Sequence, residues 1–350
     1  MRRMSKFAAA ASAITLALAL TACGSEDEPG GEGTDGGEGD SDITIGLAYD
    51  VGGRGDQSFN DSAAAGADQA VEEFGFKLEE AEATDGEAES AREERLRTFA
   101  DAGVDPIIAV GFAYAPSVAK VAPEYPDIHF ALIDSADATG ENIANLLFAE
   151  EQGSFLVGAA AALESQAGNI GFVGGVNTPL IAKFEAGYIA GAQAVNPDIE
   201  VQSQYLTEPP DFSGFGDPAK GKTTAEGMFQ NGADIVYHAA GGSGGGVFEA
   251  AAEAGGFAIG VDSDQYETAD PSVQDVIITS MLKKVDVGVF EYLTEVNDGT
   301  FPSGEVTYDL ESDGVGYSTS GDMLSQETID QLEDFKQQII DGEITVPTEP

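Results

Sequence analysis

From residue 43 onward, apolar positions along the chain follow two alternating periods. Ile43–Tyr49 (ITIGLAY) is a short β-rich run that opens into a glycine-rich turn, Gly52–Gly55. Asn60–Phe74 then carries apolar residues at helical spacing. Phe76–Ala81 predicts a second strand, Ser90–Ala102 a helix stopped by Gly103, and Pro106–Val110 (PIIAV) a buried-type strand ending at Gly111. Ala115–Val121 predicts a helix, and His129–Ile133 (HFALI) a strand that ends at Asp134. After a long Ala-rich helix, Glu150–Leu163, the pattern restarts. Strands are predicted at Asn169–Val173, Glu200–Leu206, Asp234–Ala239, Phe257–Val261 and Val276–Ser280. Helices are predicted at Thr178–Val195, Thr223–Asn231, Val247–Ala254 and Val285–Asn297. Strands alternating with helices at this spacing imply parallel sheets. Two such runs in tandem predict two lobes with a cleft beyond the carboxyl ends of their strands, where open parallel sheets bind ligands.

The first 42 residues follow neither period. Arg2, Arg3 and Lys6 precede an apolar run from Phe7 to Leu20, and Leu20-Thr21-Ala22-Cys23 brings small residues up to the only cysteine of the chain. This is the order of a secretory signal, residues 1–22, with a site that resembles the lipobox of bacterial lipoproteins. The apolar run is shorter than the ~20 residues of a membrane span. Residues 23–42 are almost all Gly, Glu, Asp, Ser and Thr, too poor in apolar surface to fold, and read as a flexible tether. The expectation is an exported chain held at the extracytoplasmic face of the cell membrane by lipid on Cys23.

Composition narrows the partners. The net charge of −48 argues against nucleic acid, which needs basic patches. The acids are spread along the chain, as a solvated surface would have them. Two histidines and a single cysteine give no metal-site spacing, and no cofactor is expected.

Two motifs mislead. Gly216-x-x-x-x-Gly221-Lys222-Thr223 has Walker A spacing, but no strand precedes it directly and Pro218 removes a backbone donor from the loop. Gly241-x-Ser243-x-Gly245 has the spacing of a nucleophile elbow in a strand–turn–helix context. Its catalytic histidine would follow the serine, whereas His129 and His238 both precede Ser243. The bland alternative is a glycine turn that lets a ligand approach the backbone.

Asp50, Asp134 and Asp262 each stand at the end of a predicted parallel strand, where a carboxylate faces the cleft and accepts hydrogen bonds from hydroxyl or ring N–H groups. Phe59 and Phe112 follow strand ends in polar or Gly-rich surroundings, and Phe212 and Phe215 lie in a Gly/Pro loop of the second half. Each packs into core or stacks on a flat ligand. Lys283 either donates to an oxygen-rich ligand or is merely solvated.

These residues carry a resemblance. Asp50-Val-Gly-Gly with Asp56-Gln-Ser-Phe-Asn60 resembles the start of the basic membrane protein family, the purine nucleoside receptor type of solute-binding lipoprotein. So do Phe148–Ala162, Gly171–Gly191, Phe215–Lys222, His238–Gly246, Gly260–Gln265 and Ser280–Asp286. The resemblance implies a type I periplasmic-binding-protein fold: two Rossmann-like lobes with a hinge and a central cleft. One lobe would comprise 43–148 plus about 278–310, the other 149–277 plus about 311–345. It implies no catalysis, a monomer, a purine nucleoside as ligand and an ABC importer permease as partner. Phe59 and an aromatic of the Phe212/Phe215 loop would sandwich the base, Asp134 would bond its edge, and Asp50, Asn60, Asp262, Lys283 and the backbone at Gly241 would hold the ribose. Ser58, inside the first motif, and Phe112 join the expected contacts. Two other readings stay open: a surface nucleoside hydrolase or esterase using Ser243, and a signalling or adhesion lipoprotein with a vestigial cleft.

Overall fold

The structure, a computed structural model, describes residues 41–84 and 86–350. The expected signal, Cys23 and most of the tether therefore lie outside the described residues.

The first half runs β1 (Thr44–Ala48), α1 (Phe59–Phe74), β2 (Lys77–Ala81), α2 (Glu89–Asp101), β3 (Ile107–Ala109), α3 (Ala115–Val121), β4 (Phe130–Ile133) and β5 (Ile143–Phe148). β1, β3 and β4 are apolar at nearly every position and buried at every residue but Thr44, as parallel strands covered on both faces must be. The second half runs α4 (Glu150–Glu164), β6 (Asn169–Val176), α5 (Pro179–Val195), β7 (Glu200–Thr207), α6 (Pro218–Gln230), β8 (Ile235–Ala239), α7 (Gly244–Ala254), β9 (Phe257–Asp262), a single turn α8 (Gln265–Thr268) and β10 (Ile277–Lys283). The chain closes with α9 (Val285–Asn297), β11 (Gly304–Tyr308), β12 (Val315–Tyr317) and α10 (Gln326–Ile340).

These strands form two six-stranded sheets of matching order, β11-β5-β4-β3-β1-β2 and β12-β10-β9-β8-β6-β7. Every neighbour pair is parallel except β10 with β12. The chain crosses between lobes three times. It passes from β5 to α4, which packs on α5, β10 and β12; from β10 to α9, which packs on α1; and from β11 to β12.

The second crossing differs from the expectation. The chain was expected to return to the first lobe near residue 278, but the strand 277–283 lies in the second sheet, beside β9 and β12. The return comes after Lys283. The strand runs past Ser280 through Met281 and Leu282, and its last residue is a lysine that is only 1 % exposed. A charged residue in that place reads from sequence as the far side of a boundary.

Three elements also begin or exist where periodicity is silent. β5 is buried almost throughout, yet it follows polar Asn142, and no strand is predicted from the sequence between Ile133 and Glu150. α6 begins at Pro218 and not at Thr223, because Asp217 caps it by accepting from Lys220 N at 3.0 Å and Pro218 takes the first helical position, where no amide is needed. α7 begins at Gly244, ahead of the apolar stripe that starts at Val247.

Candidate functional site

The site begins with the loop after β1. Asp56 accepts from the amides of Ser58 (3.0 Å), Asn60 (2.9 Å) and Asp61 (3.1 Å), so one carboxylate satisfies the open N-terminus of α1. Asn60 completes the loop. Its Oδ1 accepts from Asp50 N at 3.0 Å, and its Nδ2 donates to Asp56 at 3.0 Å. This fixes Phe59 as the first residue of α1, with its ring in the cleft.

Gly111, two residues past β3, has φ +101°, and a Cβ there would stand 2.5 Å from Asp50 Oδ2. Only glycine lets the strand turn away while the Asp50 carboxylate stays beside it. In the second lobe Gly241 follows β8 with φ +52° and opens a 3₁₀ turn of the same kind. Asp134, one residue past β4, has φ +68°; Asp262, the last residue of β9, has φ +64°. Left-handed backbone at a non-glycine residue costs free energy, and its appearance at two matching strand ends marks a constrained site.

These elements close on a cavity between the lobes. Of the sequence-predicted residues, Asp50, Phe59, Asn60, Phe112, Asp134, Phe215, Gly241, Asp262 and Lys283 all line it. Ser58 does not: it is fully buried and its Oγ donates to Asp262 Oδ2 at 2.5 Å, from one lobe to the other. Ser263 Oγ donates to Ser58 O (3.1 Å) and Gln265 Nε2 to Gln57 O (3.0 Å), so the lobes are closed on each other. Asn60 lines the wall, but both ends of its amide serve the loop, which makes it a support for Asp50. Phe212 stays outside the wall and meets the Phe112 ring edge-on at 5.7 Å, while Phe215 lies in the wall.

Sequence reasoning assigned no role to Asp56, Leu180, Ile181 or Phe184, which also line the cavity, nor to Glu150 behind it. The three α5 residues read as an ordinary buried helix face. The two acids are lost among the 63 acidic residues of the chain, although both stand inside motif blocks.

The electrostatics centre on Lys283. Its Nζ donates to Asp134 Oδ2 at 2.6 Å and lies 3.1 Å from Glu150 Oε1, outside hydrogen-bond geometry. The rings of Phe59, Phe148 and Phe184 surround the ammonium at 5.0, 5.2 and 5.6 Å. Burial works against its charge, but Asp134, Glu150 and Asp262 together hold its pKa above the ordinary lysine value. Burial also pushes the carboxyls of Asp50 and Asp134 up to about 6 and that of Asp262 up to about 7. Asp134 Oδ1 is buried without any hydrogen-bond partner.

The Ser243 arrangement is not a nucleophile site. Ser243 Oγ donates to Gly214 O at 2.7 Å and accepts from Asp217 N at 2.8 Å, tying two loops together. Neither ring nitrogen of His238 has a partner, and burial lowers its pKa to about 4, so it is a neutral packed ring. The Walker-like Lys222 turns away to Glu249 (3.2 Å) and Glu253 (2.7 Å) on α7. Among the described residues no group of acids, histidines and cysteines is arranged to hold a metal ion.

A closed two-lobed α/β frame with a polar and aromatic pocket between the lobes defines a type I periplasmic binding protein. A family model described as ABC transporter substrate-binding protein PnrA-like matches residues 43–349. Among similar proteins, the ABC transporter nucleoside-binding protein BmpA of Lactococcus lactis subsp. cremoris is 33% identical over 99% of this chain and 100% of its own length. A CD4+ T-cell-stimulating antigen of Listeria innocua is 33% identical over 96% of each chain. A crystal structure of an ABC transporter system solute-binding protein from Aeropyrum pernix superposes with a TM-score of 0.77 at 33% identity, covering 87% of this chain and 93% of that one. The chain belongs to the Bmp family of ABC transporter substrate-binding proteins. It is therefore a solute-binding component and not an enzyme, and membership brings with it a small-molecule ligand and a permease partner. No helix among the described residues is long and apolar enough to cross a membrane.

Proposed function

We propose that the protein binds a purine nucleoside between its lobes and hands it to an ABC importer. One observation carries the reading: the buried, unpartnered Oδ1 of Asp134 in a cavity walled by Phe59, Phe112 and Phe215. A buried acceptor without a donor costs about 1–3 kcal/mol, which a ligand N–H removes on binding. A flat heteroaromatic ring that carries N–H groups satisfies the carboxylate and the phenyl faces together. In this reading Phe59 and Phe215 stack on the base and Asp134 takes its edge. Asp50, Asp262, Lys283 and the backbone at Gly241 hold the ribose, while Ser58 and Asn60 shape the site from behind. The similarity to the nucleoside-binding protein BmpA of Lactococcus supports the ligand class. The carboxylates disfavour phosphate, so nucleotides are excluded by charge. The protein acts as a monomer, and the Leu20–Cys23 sequence supports a lipid anchor that keeps it at the extracytoplasmic face of the membrane.

The test is mass spectrometry of what co-purifies, followed by calorimetry with nucleosides, free bases and nucleoside monophosphates on stripped protein. Nucleosides are expected to bind and monophosphates to bind far more weakly. A monophosphate bound as tightly as its nucleoside overturns the ligand class.

A further inference from the structure

Glu150 is the least exposed acid of the site, with no accessible surface, although it does not line the cavity. It is the first residue of α4 and follows directly on the β5-to-α4 crossing. A buried carboxylate is costly unless it is paired. Glu150 is paired twice: Oε2 accepts from Lys183 Nζ at 3.1 Å, and Oε1 lies 3.1 Å from Lys283 Nζ. The helix N-terminus adds a further favourable field. Lys283, in turn, ends β10 at the second crossing. The Glu150–Lys283 contact thus joins two of the three crossing segments behind the ligand cavity.

Lys283 needs this partner. Its one hydrogen bond goes to Asp134 of the first lobe, and Asp134 is the group with an oxygen open to the ligand. An ammonium held by Asp134 alone would follow that side chain whenever the lobes part or the ligand pulls on it. A second carboxylate on the crossing segment keeps it in place in both circumstances.

We propose that Glu150 is a positioning residue: it fixes the Lys283 ammonium in the cleft and so sets ligand affinity without touching the ligand. The probe ligand rests on the nucleoside reading; the contact itself does not. The Gln variant keeps the shape of Glu150 and removes its charge.

Two measurements test the proposal. The first is a double-mutant cycle in nucleoside affinity with E150Q, K283M and the double variant. E150Q is expected to weaken binding about tenfold or more, the low end of the coupling between close buried charges, and to cost nothing further once Lys283 is Met. Independent, additive losses overturn the proposal. The second needs no ligand: an NMR pH titration of ¹³Cε-labelled lysines in the unliganded protein. The Lys283 signal is expected to titrate at lower pH in E150Q than in wild type, and an unchanged midpoint overturns the proposal. If wild-type protein binds no nucleoside, the nucleoside reading falls and the lysine titration alone decides the role of Glu150.

Discussion

Asp262 links stability, closure and pH in a way that can be measured. Its carboxyl is raised from 3.8 to about 7, chiefly by burial. A carboxyl raised on folding contributes stability that is fully present below its unfolded value and is lost as pH rises through its folded value. For this group the window runs from about 4 to about 7. A rise of that size is worth at most about 4 kcal/mol. The group is 8 % exposed, so solvent screens little of it. Part of the burial exists only while the lobes meet: Ser58 of the other lobe covers Asp262 Oδ2, and its hydroxyl bond, which favours the charged form, offsets only part of that burial. Raising the pH therefore favours the open cleft as well as the unfolded chain. The assay is urea unfolding of unliganded wild type and Asp262→Asn at constant salt between pH 4.5 and 8.5, with small-angle scattering on the same samples. Wild type is expected to lose a few kcal/mol between pH 5 and 8 and to expand. The variant should lose less and flatten above about pH 7, since Asp50 and Asp134, raised only to about 6, finish titrating there. General repulsion among the many surface acids acts equally on both proteins and cancels in the difference. Equal slopes for the two proteins, or wild-type stability that rises through the window, would refute the reasoning.

Three further outcomes follow from the geometry. Phe215→Ala should weaken nucleoside binding roughly 5- to 150-fold, the range of one base–aromatic stack; Phe212→Ala should cost less and cost every ligand alike, and calorimetry across several nucleosides separates the two. Ser243→Ala breaks two buried loop contacts and should lower stability by about 1–3 kcal/mol in denaturant titration, while nucleosides incubated with either protein stay intact by chromatography. Cys23→Ala should move the protein from the membrane fraction to the medium, as loss of a multi-chain lipid anchor requires; retention in the membrane fraction would remove the anchor.

The lobes and their parallel strands were legible because strands buried on both faces are apolar runs bounded by glycine or aspartate. The residues at their ends were legible for the same reason: Asp50, Asp134 and Asp262 stand where a run stops. What escaped has a physical cause in each case. Lys283 belongs to β10, yet a lysine inside a buried strand is tolerable only with Asp134 and Glu150 around it, and neither is near it in sequence. Phe184 stands one helical turn from Tyr188, a fully buried core residue, so nothing local separates a cleft residue from a core one. Ser58 and Asn60 were legible as important, but their partners, Asp262 across the cleft and Asp50 and Asp56 within the loop, cannot be read from the sequence.

The matching strand order of the two sheets has a consequence for how a ligand can lie. Strand for strand, β4 corresponds to β9 and β3 to β8, so Asp134 and Asp262 stand at equivalent strand ends, and Gly111 and Gly241 just beyond another equivalent pair. The rest of the wall is not matched. Beyond β1 and on α1 the first lobe offers Asp50, Phe59 and Asn60, whereas α5 of the second offers Leu180, Ile181 and Phe184, and β5 ends in Phe148 where β10 ends in Lys283. A ligand turned end for end would meet the same pair of strand-end carboxylates but an exchanged polarity around them, so the cleft favours one pose of an elongated ligand.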